Sequence, residues 1–71
     1  MFADIFSKLL QDRNITAYKL AKDLSLSNGM ISGWKKREYM PSADMLIKLS
    51  DYFNVSVDYL LGRTNNPEIN T

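Results

Sequence analysis

The chain reads as an all-α protein on three observations. Apolar residues recur at spacings of three and four along most of its length. No apolar–polar alternation longer than a few residues occurs. Ser, Thr, Pro and Gly fall where helices would begin and end. The spacing predicts five short helices. In the first, Phe2, Ile5, Phe6, Leu9 and Leu10 make one stripe, with Asp4 near the start and Arg13 near the end to complement the helix dipole. Thr16 is placed to cap the second, whose inward face is Leu20, Ala21 and Leu24. Ser25-Leu26-Ser27 is long enough only for a tight turn, and Ser27 caps a third helix carrying Met30, Ile31 and Trp34. Lys35 to Pro41 is a loop, because Pro41 disfavours helix at Met40. Ser42 caps the fourth helix, with Asp44 in its first turn and Ala43, Leu46, Leu49, Ser50 and Phe53 along one side. Asn54 and Val55 turn the chain, Ser56 caps a fifth helix with Val57, Leu60 and Leu61, and Gly62 is a natural stop. Residues 1–62 therefore form one domain. Residues 63–71, polar and without periodicity, read as a flexible tail or a truncated linker.

Composition narrows the function. At 71 residues the folded chain hides only about 60–65% of its unfolded surface, so a deep substrate cavity is not expected. Cysteine and histidine are both absent, which removes disulfides, thiolate nucleophiles, imidazole bases and Cys/His zinc sites. The carboxylates are scattered, with no paired spacing and no metal-ligand cluster. Gly29 and Gly33 lack the Gly-Lys-Ser/Thr ending of a phosphate-binding loop. No enzyme activity, metal or cofactor is expected. Apolar runs are two or three residues long, too short to span a membrane, and Asp4 and Lys8 interrupt the stretch where a signal peptide would be continuous. A cytoplasmic protein with no membrane partner is the expectation.

The formal net charge of +1 conceals a segregation. Residues 13–37 hold Arg13, Lys19, Lys22, Lys35, Lys36 and Arg37 against Asp23 alone, a net +5. Residues 1–12 carry −1 and residues 38–71 carry −3. A basic segment between acidic flanks points to an anionic partner at that segment.

That segment contains AYKLAKDLSLSNGMISGWKK, residues 17–36, in which Leu20, Leu24, Leu26, Ile31 and Trp34 are spaced to join two short helices at a wide angle. Ala21 stands where the third helix would pass close. These residues resemble the helix-turn-helix of the phage repressor and Cro-like family, also called the XRE family. The resemblance continues through PSADMLIKLSDYFNVSVDYLLG, residues 41–62, and covers the chain from Ile5 to Gly62. It implies a five-helix, lambda-repressor-like domain whose second and third helices form the motif. It also implies a bacterial or phage source and a sequence-specific regulator of transcription, most simply a repressor, bound to double-stranded DNA.

Carried over by position, base contacts are implied for Asn28, Gly29, Met30, Ser32 and Gly33, in the helix that lies in the major groove. Asn28 has the chemistry for bidentate pairing with adenine, and Met30 either meets a thymine methyl or folds into the core. Phosphate contacts are implied for Thr16, Ala17, Tyr18, Lys19 and Ser27, and for Lys35, Lys36, Arg37 and Tyr39 beyond the recognition helix. Self-association is implied at the corner of the fourth and fifth helices, around Phe53, Val55, Val57 and Tyr59. The homodimer is either weak and formed on DNA, or completed by a domain beyond the polar tail.

Three departures from the family pattern matter. Ala17 stands where Gln is frequent, Ser25 where the turn usually has Gly, and Gly29 and Gly33 where long side chains often read bases. Glycine in a helix interior costs about 1 kcal/mol against alanine. Either the backbone approaches DNA closely there, or specificity rests on fewer side chains and on DNA shape. Trp34 reads as core from its spacing to Ile31, not as a stacking platform for bases. The alternative reading, an antitoxin or adaptor that uses the same scaffold for a protein partner, has the basic clustering against it.

Overall fold

A computed structural model describes residues 1–69. Helices α1 (Phe2–Asp12), α2 (Ala17–Leu24), α3 (Asn28–Lys35), α4 (Ala43–Phe53) and α5 (Val57–Leu60) account for the regular structure, with no strand among the described residues. The expected all-α, five-helix fold is the one observed.

The helix boundaries arise from one device used repeatedly. The hydroxyls of Thr16, Ser27, Ser42 and Ser56 each accept the backbone N–H three residues on, at 3.0–3.2 Å. These are the four side-chain caps expected from the sequence, and each satisfies an N–H that the helix cannot. Helix ends are as regular. Asn14, Ser25, Arg37, Asn54 and Gly62 have φ between 54° and 77°, and follow α1 to α5 in turn. The residue after each donates its N–H to a carbonyl five positions back: Ile15 to Leu10, Leu26 to Ala21, Glu38 to Gly33, Val55 to Ser50 and Arg63 to Asp58. Left-handed backbone at the first or second residue past a helix closes its last turn in this way.

Three connectors share one pattern: Asn14-Ile15-Thr16, Ser25-Leu26-Ser27 and Asn54-Val55-Ser56. The first residue ends a helix, the apolar second turns inward, and the third caps the next helix. Each apolar member lies five residues before a buried one, Leu20, Ile31 or Leu60, the relation of a hydrophobic staple. The shared pattern fixes the angle at which each new helix leaves its turn.

The core joins all five helices. Phe6, Leu20, Leu49, Phe53 and Leu60 are completely buried, and Ile31, Trp34 and Val55 nearly so. Trp34 stands edge-on to Phe6, with ring centroids 5.8 Å apart, and Phe6 stands edge-on to Phe53 at 6.3 Å. Trp34 is thus core, as its spacing indicated. Leu24 and Leu26, expected to be buried in the motif, are only half-buried at the edge of this cluster. Ala43 was expected on the inward side of α4 and is exposed instead. It is the first residue of the helix, and the inward face begins at Met45 and Leu46.

Two long-range contacts were outside the sequence reading. Arg13, expected to act on the dipole of α1, sends its guanidinium to the Phe53 carbonyl at the end of α4, 2.9 Å away. The polar stretch after Gly62 returns to the body, where the Ser56 N–H donates to the Pro67 carbonyl at 2.8 Å. The remainder of the expected tail, Asn70 and Thr71, lies outside the described residues.

Self-association at the α4–α5 corner needs a correction. Phe53 is 0% and Val55 2% exposed, so both side chains are spent on the domain's own core and have no surface to offer a partner. Val57 and Tyr59 remain half-exposed.

Candidate nucleic-acid interface

Helix α3 is eight residues long, and an α-helix with its side chains is about 10–12 Å across, which matches the width of the major groove of B-DNA. Its inward face is set by Ile31 and Trp34. At 100° per residue the opposite side carries Gly29, Ser32 and Lys36, with Asn28 and Lys35 on the flank toward α2 and Gly33 on the other flank; Asn28, Gly29, Lys35 and Lys36 are exposed and Ser32 is half-buried. Asn28, Ser32, Lys35 and Lys36 line a shallow concavity together with Ala17, at the start of α2, and Ile31 at its floor. Residues assigned by position to bases and to phosphates thus share one open groove, formed where the N-terminus of α2 meets the outer side of α3.

Two expected base contacts do not lie on that face. Met30 is half-buried and packs against the core. Gly33 is buried on the flank of α3, covered by the ring of Tyr39. The glycine at 33 is therefore explained by an internal contact and not by close approach of its own backbone to DNA. Gly29 differs, because a side chain there would meet open space.

The cap at the start of α2 leaves useful groups free. Thr16 Oγ1 accepts the Lys19 N–H, so the amides of Ala17 and Tyr18 remain at the positive end of the helix dipole. Tyr18 is 70% exposed beside them. Ser27 repeats the arrangement at α3, where its oxygen accepts the Met30 N–H at 3.1 Å. A capping hydroxyl uses its lone pair in this way and keeps its proton for an anion.

Of the expected phosphate-binding cations, Lys35 and Lys36 are exposed and form no ion pair among the described residues. Lys19 pairs with Asp23 one turn on, at 3.2 Å. Arg37 pairs with Asp4 of α1. Both pairs are open to water, so each is weak and yields readily to a stronger anion. Asp23 is also the acceptor of the Tyr52 hydroxyl at 2.6 Å, which fastens α2 to α4. That hydrogen bond, and then the one from Lys19, lowers the Asp23 pKa below the usual carboxylate value. The same bond raises the Tyr52 phenol.

Ser25, where glycine is usual, adopts φ 56° and ψ 46°. The turn between α2 and α3 therefore keeps the left-handed geometry a glycine would give, adopted here by an L-residue. The seat of Tyr39 and the Asp23–Tyr52 bond are the participants that spacing did not reveal. Each joins residues from separate elements, and only the glycine at 33, unusual inside a helix, hinted at the first.

Comparison with known proteins agrees with this geometry. The sequence profile of the helix-turn-helix family matches residues 7–60. An uncharacterized HTH-type transcriptional regulator of Bacillus subtilis, YobD, is 28% identical over 68 residues, covering 96% of this chain and 61% of its own length. The HTH-type transcriptional regulator ImmR of the same organism is 38% identical over 53 residues, 75% of this chain and 42% of its own. The chain thus spans between about two-fifths and three-fifths of these relatives. With a profile match running from α1 to the end of α5, on a fold that presents α3 beside the N-terminus of α2, the chain belongs to the helix-turn-helix family.

Proposed function

We propose that this domain binds double-stranded DNA sequence-specifically and represses transcription by occupying an inverted-repeat operator. The observation that carries the reading is the shared groove of Ala17, Asn28, Ser32, Lys35 and Lys36, which combines a base-reading amide with anion-binding groups on one open face. Asn28 and Ser32 meet base edges, with the backbone of Gly29 close behind them. Amides at Ala17 and Tyr18, hydroxyls of Thr16 and Ser27, and the ammonium groups of Lys19, Lys35 and Lys36 position the domain on phosphates. Arg37 joins them by leaving Asp4. Two copies place their α3 helices about 34 Å apart, one helical turn, in successive major grooves. Of the corner expected to mediate pairing, only Val57 and Tyr59 have surface to contribute. Pairing there is weak and is completed on DNA. The domain acts in the bacterial cytoplasm, as a regulator and not an enzyme.

Duplexes selected from a randomised library by the protein provide the test. Asn28→Ala loses about 1–3 kcal/mol on the selected duplex and little on random DNA, relaxing preference at one base. Lys36→Ala weakens both duplexes nearly equally and lowers the slope of log affinity against log salt by about one. Identical behaviour of the two variants on both duplexes would show that reading and positioning are not divided in this way. Absence of any shifted duplex at low salt would refute DNA binding.

A further inference from the structure

Helix α3 has no side chain at positions 29 and 33, one turn apart, where its outward face meets one flank. That flank is nevertheless furnished, by a residue from the following loop. A Cβ at Gly33 would lie 2.5 Å from Cζ, 2.6 Å from Oη and 2.7 Å from Cε2 of Tyr39. The Tyr39 hydroxyl donates to the Gly29 carbonyl at 3.4 Å. The ring thus spans the turn between the two glycines, with Gly33 buried beneath it and Gly29 at its tip. Tyr39 itself stays 49% exposed.

We propose that Tyr39 is a specificity-determining residue, supplying to the reading face the side chain that α3 lacks at positions 29 and 33, with Gly33 as its seat. This rests on the DNA-binding reading above and sharpens it, since a contact by position would make Tyr39 a phosphate ligand only. The chemistry suits a base edge. A phenol donates to the N7 or O6 of guanine or the O4 of thymine, and the ring gives apolar contact to a thymine methyl. At 3.4 Å the bond to Gly29 is long, so the hydroxyl exchanges it readily for an acceptor on DNA. The ring approaches from a loop but is held against a helix, which limits the freedom lost on binding.

The seat makes a second substitution informative. An alanine at 33 would strike the far end of a flexible side chain and not backbone, so it displaces Tyr39 and leaves α3 intact. Alanine is also the stronger helix former, so Gly33→Ala is expected to hold or raise the melting temperature. Its effect on binding therefore cannot come from unfolding.

Fluorescence anisotropy of the wild type, Tyr39→Ala, Gly33→Ala and the double variant is measured on a selected duplex and a random one at one salt concentration. Tyr39→Ala is expected to weaken the selected duplex roughly tenfold or more while random DNA changes by less than about twofold. Gly33→Ala should reproduce that loss, and the double variant should lose no more than either single one. In the free protein, the Gly33 Hα resonances should carry a ring-current shift that Tyr39→Leu abolishes. Equal losses on both duplexes would overturn the inference by making Tyr39 a phosphate contact. Full binding by Gly33→Ala, or an unshifted Gly33, would overturn the seat. A wild type that binds no duplex would refute DNA binding itself, an outcome distinct from all of these.

Discussion

Ser25 occupies the turn on which the orientation of α3 depends, and its backbone can be relieved without moving it. With φ 56° and ψ 46°, Ser25 sits in the left-handed region, which costs an L-residue about 1–2 kcal/mol and glycine nothing. Glycine returns part of that gain through the freedom it loses on folding, about 0.5–1 kcal/mol. The side chain is exposed, so its removal leaves no hole. Ser25→Gly is therefore expected to stabilise the domain by about 0.5–1 kcal/mol, or roughly 2–8 °C in Tm for a chain of this size. Urea and thermal unfolding followed by circular dichroism measure it. Asn54→Gly is the internal control, because Asn54 has nearly the same backbone angles, φ 57° and ψ 47°, but asparagine tolerates them. It should change stability by less than about half as much. The turn geometry is the same in both forms, so DNA affinity of Ser25→Gly should stay within about twofold of the wild type. Destabilisation by Ser25→Gly, or an equal gain from Asn54→Gly, would refute the strain assigned to this turn.

Arg13→Ala should cost about 1 kcal/mol in urea unfolding by removing the guanidinium from the Phe53 carbonyl at the end of α4, whereas Lys8→Ala, exposed on α1, should be nearly silent. Tyr52→Phe tests the α2–α4 bond through its pH dependence. Asp23 is lowered in the fold, so its contribution is present above its ordinary value of 3.8 and is lost as pH falls through the lower folded value. Tyr52 is raised, so its contribution is present below its ordinary value of 10.0 and is lost as pH rises through the higher folded value. The stability difference between wild type and Tyr52→Phe should accordingly be confined between those limits, and a difference that persists in strong acid would contradict the assignment.

The proposed selectivity of the groove and the stability of the fold draw on different residues. Asn28, Ser32, Lys35 and Lys36 stay open to solvent because Ile31 and Trp34 take the inward side, so the groove they line follows from the helical phase of α3. The turn and cap residues around α2 and α3 then fix where that face points.

From the sequence alone, the five helices, their four hydroxyl caps and the stop at Gly62 could be placed, because each rests on hydrogen bonds between residues no more than five apart. The inward positions of Leu20, Ile31, Trp34 and Leu49 followed for the same reason, from a period set by one helix. Spacing says which way a side chain points but not what stands opposite it. That Gly33 lies under Tyr39, that Arg13 serves α4, and that Asp23 receives Tyr52 became visible only when elements met. Phe53 and Val55 show the same limit. Their apolar character suits a partner's surface and the domain's own core equally, and the tertiary packing of α1, α4 and α5 decided for the core.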